Sequence, residues 1–182
     1  MRLENICVYC GSRKGNNPIY ETAGLTFGRI LAASDVGLVY GGGGIGIMGT
    51  IARTVLDQGG RVTGIIPDFL NEAEIPLKEV TELIVTTSMH ERKQLMFERS
   101  GAFVALPGGI GTLEEIVEMM TWAQLGRHDY PIVLANIDGF WDPLIELLDH
   151  MIQAEFASSN VRGIYAVVDR VEDILPRIKA AL

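Results

Sequence analysis

Short, continuous apolar runs alternate along this chain with longer segments whose apolar residues recur at helical spacing. Strands that are apolar on both faces are typical of a parallel sheet buried under helices, and the intervening segments are long enough to be those helices. The predicted fold class is therefore α/β, a Rossmann-like, doubly wound parallel sheet with helices on both faces. The predicted strands are 5–9, 37–40, 62–66, 82–85, 102–106, 132–135 and 165–168. The predicted helices are 18–33, a helix that follows 45–49 and ends at 58, 89–100, 112–125, 142–153 and 171–181.

Length and composition place this chain among ordinary globular proteins. Its 182 residues suit a single domain, 1–182, in which we expect about two thirds of the unfolded surface to be buried. Hydrophobic residues make up 48% of the chain, no apolar stretch is long enough to cross a bilayer, and the amino terminus lacks a secretory pattern. We therefore expect a cytoplasmic protein that does not bind a membrane. The formal net charge of -8 argues against nucleic acid as a partner.

The segment 106–115, LPGGIGTLEE, joins a predicted strand to a predicted helix through three glycines. The first N–H groups of a helix have no partner within it, and the helix dipole is positive there, so this junction favours a phosphate. Glu115 adds a carboxylate, which the dipole should keep ionised. Thr112 and Glu115 also have the spacing of a capping box, in which the threonine caps the helix and the glutamate bonds back to it. The spacing alone leaves both interpretations open.

A second glycine-rich segment, 41–44, follows the second predicted strand. Ligands of such sheets bind beyond the carboxyl ends of the strands, so the sequence predicts one cleft lined by two phosphate-type loops, with Gly42 and Gly43 in the second. The spacing Gly41-x-Gly43-x-x-Gly46, with Asp68 further on, also matches an NAD fingerprint, although it follows the second strand rather than the first. Arg92 and Lys93 lie between the two loops in sequence and form a candidate anion clamp.

Two further alternatives stay open at this stage. A pyridoxal phosphate enzyme would need a Schiff-base lysine, for which Lys93 is the candidate, and a carrier would hold a nucleotide or phosphorylated cofactor unchanged. Glu114, Glu118 and Thr121 share one helix stripe, which could face the cleft or be a solvated acidic face.

The cysteines and histidines do not suggest a metal site. Cys7 and Cys10 have a C-x-x-C spacing, but residues three apart on a strand point to opposite faces, so we expect buried, reduced thiols. The three histidines are far apart in the sequence, and we predict no metal.

The motifs together resemble the LONELY GUY family, the cytokinin riboside 5′-monophosphate phosphoribohydrolases, some of whose bacterial members have been labelled lysine decarboxylases. The motifs that carry the resemblance are CVYCGS at 7–12, YGGGGIGIMG at 40–49, MHxRK at 89–93, PGGxGTxxE at 107–115 and TWAQLG at 121–126. The resemblance implies hydrolysis of the N-glycosidic bond of a nucleoside 5′-monophosphate, such as isopentenyladenosine monophosphate or AMP, to free base and ribose 5-phosphate. It implies no cofactor, and it implies a homodimer.

The resemblance also assigns roles to residues. Arg92 and Glu115 would be the catalytic pair, with Glu115 stabilising the cationic sugar and activating the water. The implied substrate-binding residues are Glu74, Arg92, Lys93, Gly109, Ile110, Gly111, Thr112, Leu113, Glu114, Glu115 and Thr121. Small departures from the family pattern occur at Ile47, at Ile110, where an aromatic is common, and at Ser88, where aspartate is expected. Apolar residues at Met119, Met120 and Trp122 are interpreted either as dimer surface or as core.

Overall fold

The computed structural model describes residues 3–70 and 74–182, and its centre is a seven-stranded sheet in which every paired strand is parallel. The strands are β1 (Asn5–Tyr9), β2 (Gly37–Tyr40), β3 (Val62–Pro67), β4 (Glu82–Thr86), β5 (Phe103–Ala105), β6 (Ile132–Ala135) and β7 (Ala166–Val168). The helices within the described residues are α1 (Pro18–Ala33), α2 (Gly46–Asp57), α3 (Met89–Glu98), α4 (Ile110–Gln124), α5 (Asp142–Gln153) and α6 (Ile174–Lys179). The sheet order is β4-β3-β2-β1-β5-β6-β7.

Helices cover both faces of the sheet, and each face has its own apolar core. Helices α1, α2 and α6 pack on one face, where Ile6 and Val8 of β1 join the core. Helices α3, α4 and α5 pack on the other, where Cys7 and Tyr9 point. This alternation explains why the strands are apolar throughout, and the predicted doubly wound α/β fold is confirmed.

Three helices begin earlier or later than the sequence pattern predicts. Helix α2 begins at Gly46, inside the segment 45–49 that the pattern places before the helix. Helix α4 begins at Ile110 rather than at Thr112, with Gly109 as its N-cap residue. The last segment is not one helix over 171–181, because a 3₁₀ turn, Val171–Asp173, precedes α6. Starting α6 at Ile174 places Pro176 in the first turn, where a missing N–H costs no helical hydrogen bond.

The chain reverses its direction of winding between β1 and β5, which are neighbours in the sheet. The loop after β1 leads to α1 on one face, and the loop after β5 leads to α4 on the opposite face. The two loops therefore diverge at the carboxyl edge and leave a crevice between them, as expected at a topological switch point. Among the described residues, no helix is long and apolar enough to cross a membrane.

Candidate active site

A cleft of about 630 Å³ opens between the loops that follow β1 and β5. Side chains from α2, α3, α4 and the segment after β3 close its floor and walls. The residues that line it are 10–16, Tyr20, Ile47, Met48, Glu74, Arg92, 107–112, Glu115 and Phe140.

Arg92 of α3 is the buried cation of this cleft, with only 5% of its surface exposed. Its Nε donates to the carbonyl of Ile65 at 3.1 Å, and its Nη2 donates to the carbonyl of Gly41 at 2.9 Å. Those carbonyls lie at the carboxyl ends of β3 and β2, so the sheet itself fixes the guanidinium. A Cβ on Gly41 would lie 2.2 Å from Arg92 Nη2, so this glycine is needed for the protein's own arginine.

Two carboxylates flank the guanidinium at distances too long for hydrogen bonds. Arg92 Nη1 lies 3.9 Å from Glu115 Oε1, and Arg92 Nη2 lies 3.7 Å from Glu74 Oε2. Within the described part of the chain, Glu74 Oε2 is buried and has no hydrogen-bond partner. A cation between two desolvated carboxylates, with oxygens left to bond a ligand, is typical of a site that acts on a polar substrate.

Burial controls the protonation of both carboxylates. It raises the pKa of Glu115 from its usual 4.5 to about 7, against the lowering effect of Arg92. Burial likewise raises the pKa of Glu74, again opposed by Arg92. The expectation that the helix dipole keeps Glu115 fully ionised is therefore wrong, because desolvation of a buried carboxylate outweighs the dipole.

The loop after β5 brings the start of α4 to the cleft. Gly109 is the N-cap residue and has no side-chain cap, and its carbonyl accepts the first helical bond, from the amide of Leu113. A Cβ would meet nothing within 4 Å at Gly109 or at Gly111, so the first turn of the helix is open to a ligand. Thr112 is buried inside the helix rather than at its cap, and Glu115 faces Arg92, so the capping-box interpretation is wrong.

The glycines of 41–44 serve a different purpose from the one predicted. Gly42 accepts a hydrogen bond from Leu77, Gly44 donates to the carbonyl of Ile75 at 2.7 Å, and Gly43 pairs with Pro76. Neither Gly42 nor Gly43 is among the described residues that line the cleft. The cleft lining therefore gives no support to a second phosphate loop at Gly42 and Gly43, and the NAD interpretation is disfavoured, because the chain's own atoms occupy the space beside these glycines.

The second loop of the cleft is the one after β1, which the sequence interpretation missed. It contributes Ser12, Arg13, Lys14 and Asn16, and the exposed Lys14 pairs with Glu21 at 2.7 Å. The available signal was its composition, a glycine-flanked Ser-Arg-Lys run after a predicted strand. Its place opposite α4 depends on the order of the strands in the sheet, which sequence pattern does not specify.

An aromatic pair, Tyr20 and Phe140, closes another part of the cleft and was also missed. Their rings meet edge to face with centroids 5.5 Å apart. A hydrogen bond of 3.0 Å from Asn17 Nδ2 to Asp138 Oδ2 ties the segments that carry the two rings. Residues so far apart in sequence leave no local pattern that would connect them.

Several predicted substrate-binding residues are not among those that line the cleft, namely Lys93, Leu113, Glu114 and Thr121. Lys93 Nζ lies 2.7 Å from Glu114 Oε1 and 3.0 Å from Glu118 Oε1, which confirms that these glutamates share a helix face. Thr121 donates its hydroxyl to the carbonyl of Val117. The pyridoxal phosphate interpretation is disfavoured, because its candidate lysine is occupied outside the cleft.

Neither cysteine forms a disulfide, and Cys10 is among the residues that line the cleft. Cys7 and Cys10 are both buried, on opposite faces of the sheet, and burial raises the pKa of each thiol. The prediction of buried, reduced thiols is confirmed. Over residues 3–70 and 74–182, no group of three or more His, Cys, Asp or Glu side chains could hold a metal ion.

Comparison with known proteins identifies the family. The family described as "Possible lysine decarboxylase" matches residues 48–178. A probable cytokinin riboside 5′-monophosphate phosphoribohydrolase of Oryza sativa subsp. japonica is 44% identical over 178 residues, covering 98% of this chain and 80% of the relative. A cytokinin riboside 5′-monophosphate phosphoribohydrolase of Arabidopsis thaliana is 42% identical, covering 97% of this chain and 86% of the relative. The chain belongs to the LONELY GUY family.

The fold of this LONELY GUY chain also occurs in solved structures of other proteins. The molybdenum cofactor carrier protein of Chlamydomonas reinhardtii superposes with a TM-score of 0.74 at 19% identity, over 99% of this chain and 98% of the carrier. The molybdenum cofactor binding protein of Rippkaea orientalis gives 0.72 at 22% identity, over the same shares. At such identities the likeness concerns the fold alone.

Proposed function

We propose that this chain hydrolyses the N-glycosidic bond of a nucleoside 5′-monophosphate, a cytokinin riboside 5′-monophosphate or AMP, and releases free base and ribose 5-phosphate. The observation that carries the proposal is the buried Arg92 between Glu74 and Glu115, in a cleft that also contains the start of α4. Named relatives with 41–44% identity are phosphoribohydrolases of this kind.

Glu115 is the group placed to act on the ribose. When the bond from C1′ to the base breaks, its electron pair leaves with the base and positive charge develops on the sugar. The Glu115 carboxylate stabilises that charge and takes a proton from the water that adds to C1′. With a pKa of about 7, Glu115 can hold that proton at neutral pH and return it to the departing base.

Arg92 supports the ionised form of Glu115 and orients the ribose end of the substrate. Its two carbonyl contacts hold the guanidinium still, so its positive charge is in place before the substrate binds. Arg92 lowers the pKa of Glu115 against the effect of burial, so removing Arg92 would raise that pKa further and leave less of the carboxylate form at neutral pH.

The remaining lining residues fit the other parts of a nucleotide. The open amides of 110–112 at the start of α4 and the exposed Arg13 suit the 5′-phosphate. Tyr20 and Phe140 provide aromatic surface for the base. Binding energy from the phosphate then holds the glycosidic bond beside Glu115.

The test is to incubate the purified protein with AMP and with isopentenyladenosine monophosphate, without added metal or cofactor, and to measure free base and ribose 5-phosphate by chromatography. We expect release from at least one nucleotide, and the ratio of the two rates ranks the substrates. Glu115→Gln and Arg92→Ala should abolish release while Glu146→Gln, an exposed control on α5, keeps it. Tight nucleotide binding without any release would instead favour the carrier alternative.

We also propose that two copies of the single domain 1–182 form a homodimer in the cytoplasm. Met119 and Met120 are buried in the core and Trp122 is partly buried against it, whereas Val85, Ile110 and Leu125 are exposed and available for the dimer surface. The two unpaired cysteines suit a reducing compartment. Light scattering at several protein concentrations should give the mass of two chains, and a constant single-chain mass would overturn the dimer.

A further inference from the structure

Helix α3, which carries Arg92, has few apolar anchors. Of its residues only Arg92 and Met96 are buried, with Leu95 and Phe97 partly buried against the core. A helix usually takes its position from an apolar stripe, so polar contacts must supply much of the positioning of α3.

Lys93 provides such a contact, and it reaches from α3 to α4. Its Nζ lies between Glu114 Oε1 at 2.7 Å and Glu118 Oε1 at 3.0 Å, and only 13% of its side chain is exposed. Glu118 is also mostly buried, with 22% of its side chain exposed, so salt screens its pair with Lys93 less than it screens an exposed pair. Glu118 Oε2 is buried without a hydrogen-bond partner among the described residues, so the bond from Lys93 to Glu118 Oε1 is what ties this carboxylate to α3.

The same two helices hold the cleft pair. Arg92 is adjacent to Lys93 on α3, and Glu115 is adjacent to Glu114 on α4. The 3.9 Å between Arg92 and Glu115 is too long for a hydrogen bond, so nothing between these two side chains fixes their separation. The sheet carbonyls hold the Arg92 guanidinium, so the separation depends on what holds α4, and Glu115 with it, against α3.

We propose that Lys93 is a positioning residue, which with Glu114 and Glu118 forms a strut between α3 and α4 that sets the distance from Arg92 to Glu115. The kinetic part of this inference depends on the proposed function. It differs from the role that family resemblance implies for Lys93, which is direct contact with the substrate.

The experiment compares Lys93→Met, the conservative Lys93→Arg and the double variant Glu114→Gln/Glu118→Gln in the hydrolysis of AMP. Displacing a catalytic group by about 1 Å costs up to about a hundredfold in rate, so we expect Lys93→Met to lower kcat about tenfold or more with little change in KM. Lys93→Arg should restore part of kcat. Arg99→Met, which removes an exposed ion pair of 2.6 Å with Glu82 at the end of α3, is the matched control and should keep both constants.

The double variant separates the strut from simple charge effects. The charge of Glu114 raises the pKa of Glu115 directly. If nothing else changed, removing the Glu114 charge should therefore move the acid limb of the plot of kcat/KM against pH to lower pH. Loss of the strut lets α4 carry Glu115 away from the fixed Arg92 guanidinium, which should move that limb to higher pH instead. The other charged groups that act on Glu115 are Arg92, Glu74 and Lys93, and none of them is altered in this variant.

A rise in KM with unchanged kcat, together with weaker inhibition by ribose 5-phosphate, would show that Lys93 contacts substrate and would overturn the strut. So would a shift of the acid limb to lower pH in the double variant.

If the wild type hydrolyses no nucleotide, the proposed function fails, but the strut is still tested by a ¹³C NMR titration of the Glu115 carboxyl group. In that titration the double variant must show a raised pKa, and an unchanged or lowered one overturns the inference. If the double variant does not fold, Glu118→Gln alone weakens the strut while it keeps the Glu114 charge, and an unchanged or lowered Glu115 pKa in it overturns the inference.

Discussion

Replacing Glu115 by glutamine should stabilise the protein at alkaline pH while it abolishes turnover. Burial raises the pKa of Glu115 from 4.5 to about 7, so the folded protein binds the proton more tightly than the unfolded chain does. The folded protein therefore loses stability as pH rises from 4.5 to 7, where the buried carboxyl group ionises. Glutamine has nearly the same shape and does not ionise.

The size of the effect follows from the two pKa values. At about 1.36 kcal/mol per pKa unit, ionising Glu115 costs the folded state about 3 kcal/mol at pH 8 and about 0.8 kcal/mol at pH 5. The stability of Glu115→Gln relative to wild type should therefore be about 2.5 kcal/mol more favourable at pH 8 than at pH 5.

Urea unfolding of both proteins, followed by the fluorescence of Trp122 and Trp141, measures this difference at the two pH values. Glu146→Gln, at an exposed position, should show no pH-dependent difference from wild type. If Glu115 acted only as a helix cap, the substitution would lower stability by about 1 kcal/mol at both pH values. A difference that does not change with pH would refute the argument from burial.

Three further predictions address the pH profile, the glycines and the base. Because Glu115 acts as a carboxylate, kcat/KM should rise as pH increases through about 7, and a flat profile from pH 6 to 8 would contradict its role. Gly46→Ala should lower the melting temperature markedly, because Gly46 has φ +61° and a Cβ there would lie 2.2 Å from the Ser12 carbonyl carbon. Gly111→Ala should leave the melting temperature nearly unchanged, because a Cβ there meets nothing within 4 Å, and calorimetry compares the two variants. Phe140→Ala should raise KM for nucleotides but not the inhibition constant of ribose 5-phosphate, which lacks a base; equal losses for both would place the base elsewhere.

The architecture was predictable because it depends on patterns that are local in sequence. Strands 5–9, 37–40 and 132–135 have the predicted bounds. Gly41 and Asn136 end the second and third of these apolar runs directly, and Gly11 follows the first after one further residue. The alternation of such runs with helical segments is sufficient for a parallel sheet, and the carboxyl edge then follows as the place of the cleft.

The use of each glycine was not predictable, because a glycine shows where backbone approaches something but not what it approaches. At Gly109 the space beyond the backbone is open to the cleft, whereas at Gly41 the Arg92 guanidinium occupies it. The two segments look alike in sequence, and only the folded chain separates them.

The sequence by itself determined the kind of sheet, the edge at which ligands bind, and the motifs that place Arg92 and Glu115 among the candidate residues. Tertiary structure decided the electrostatic state of those residues, because desolvation depends on every atom packed around a group. The helix dipole on Glu115 is local and visible in sequence, whereas the burial that raises its pKa to about 7 is not. The pairing of Lys93 with Glu114 and Glu118 on α4 likewise became apparent only in the folded chain. The loop after β1 was placed opposite α4 only once the order of the strands was known.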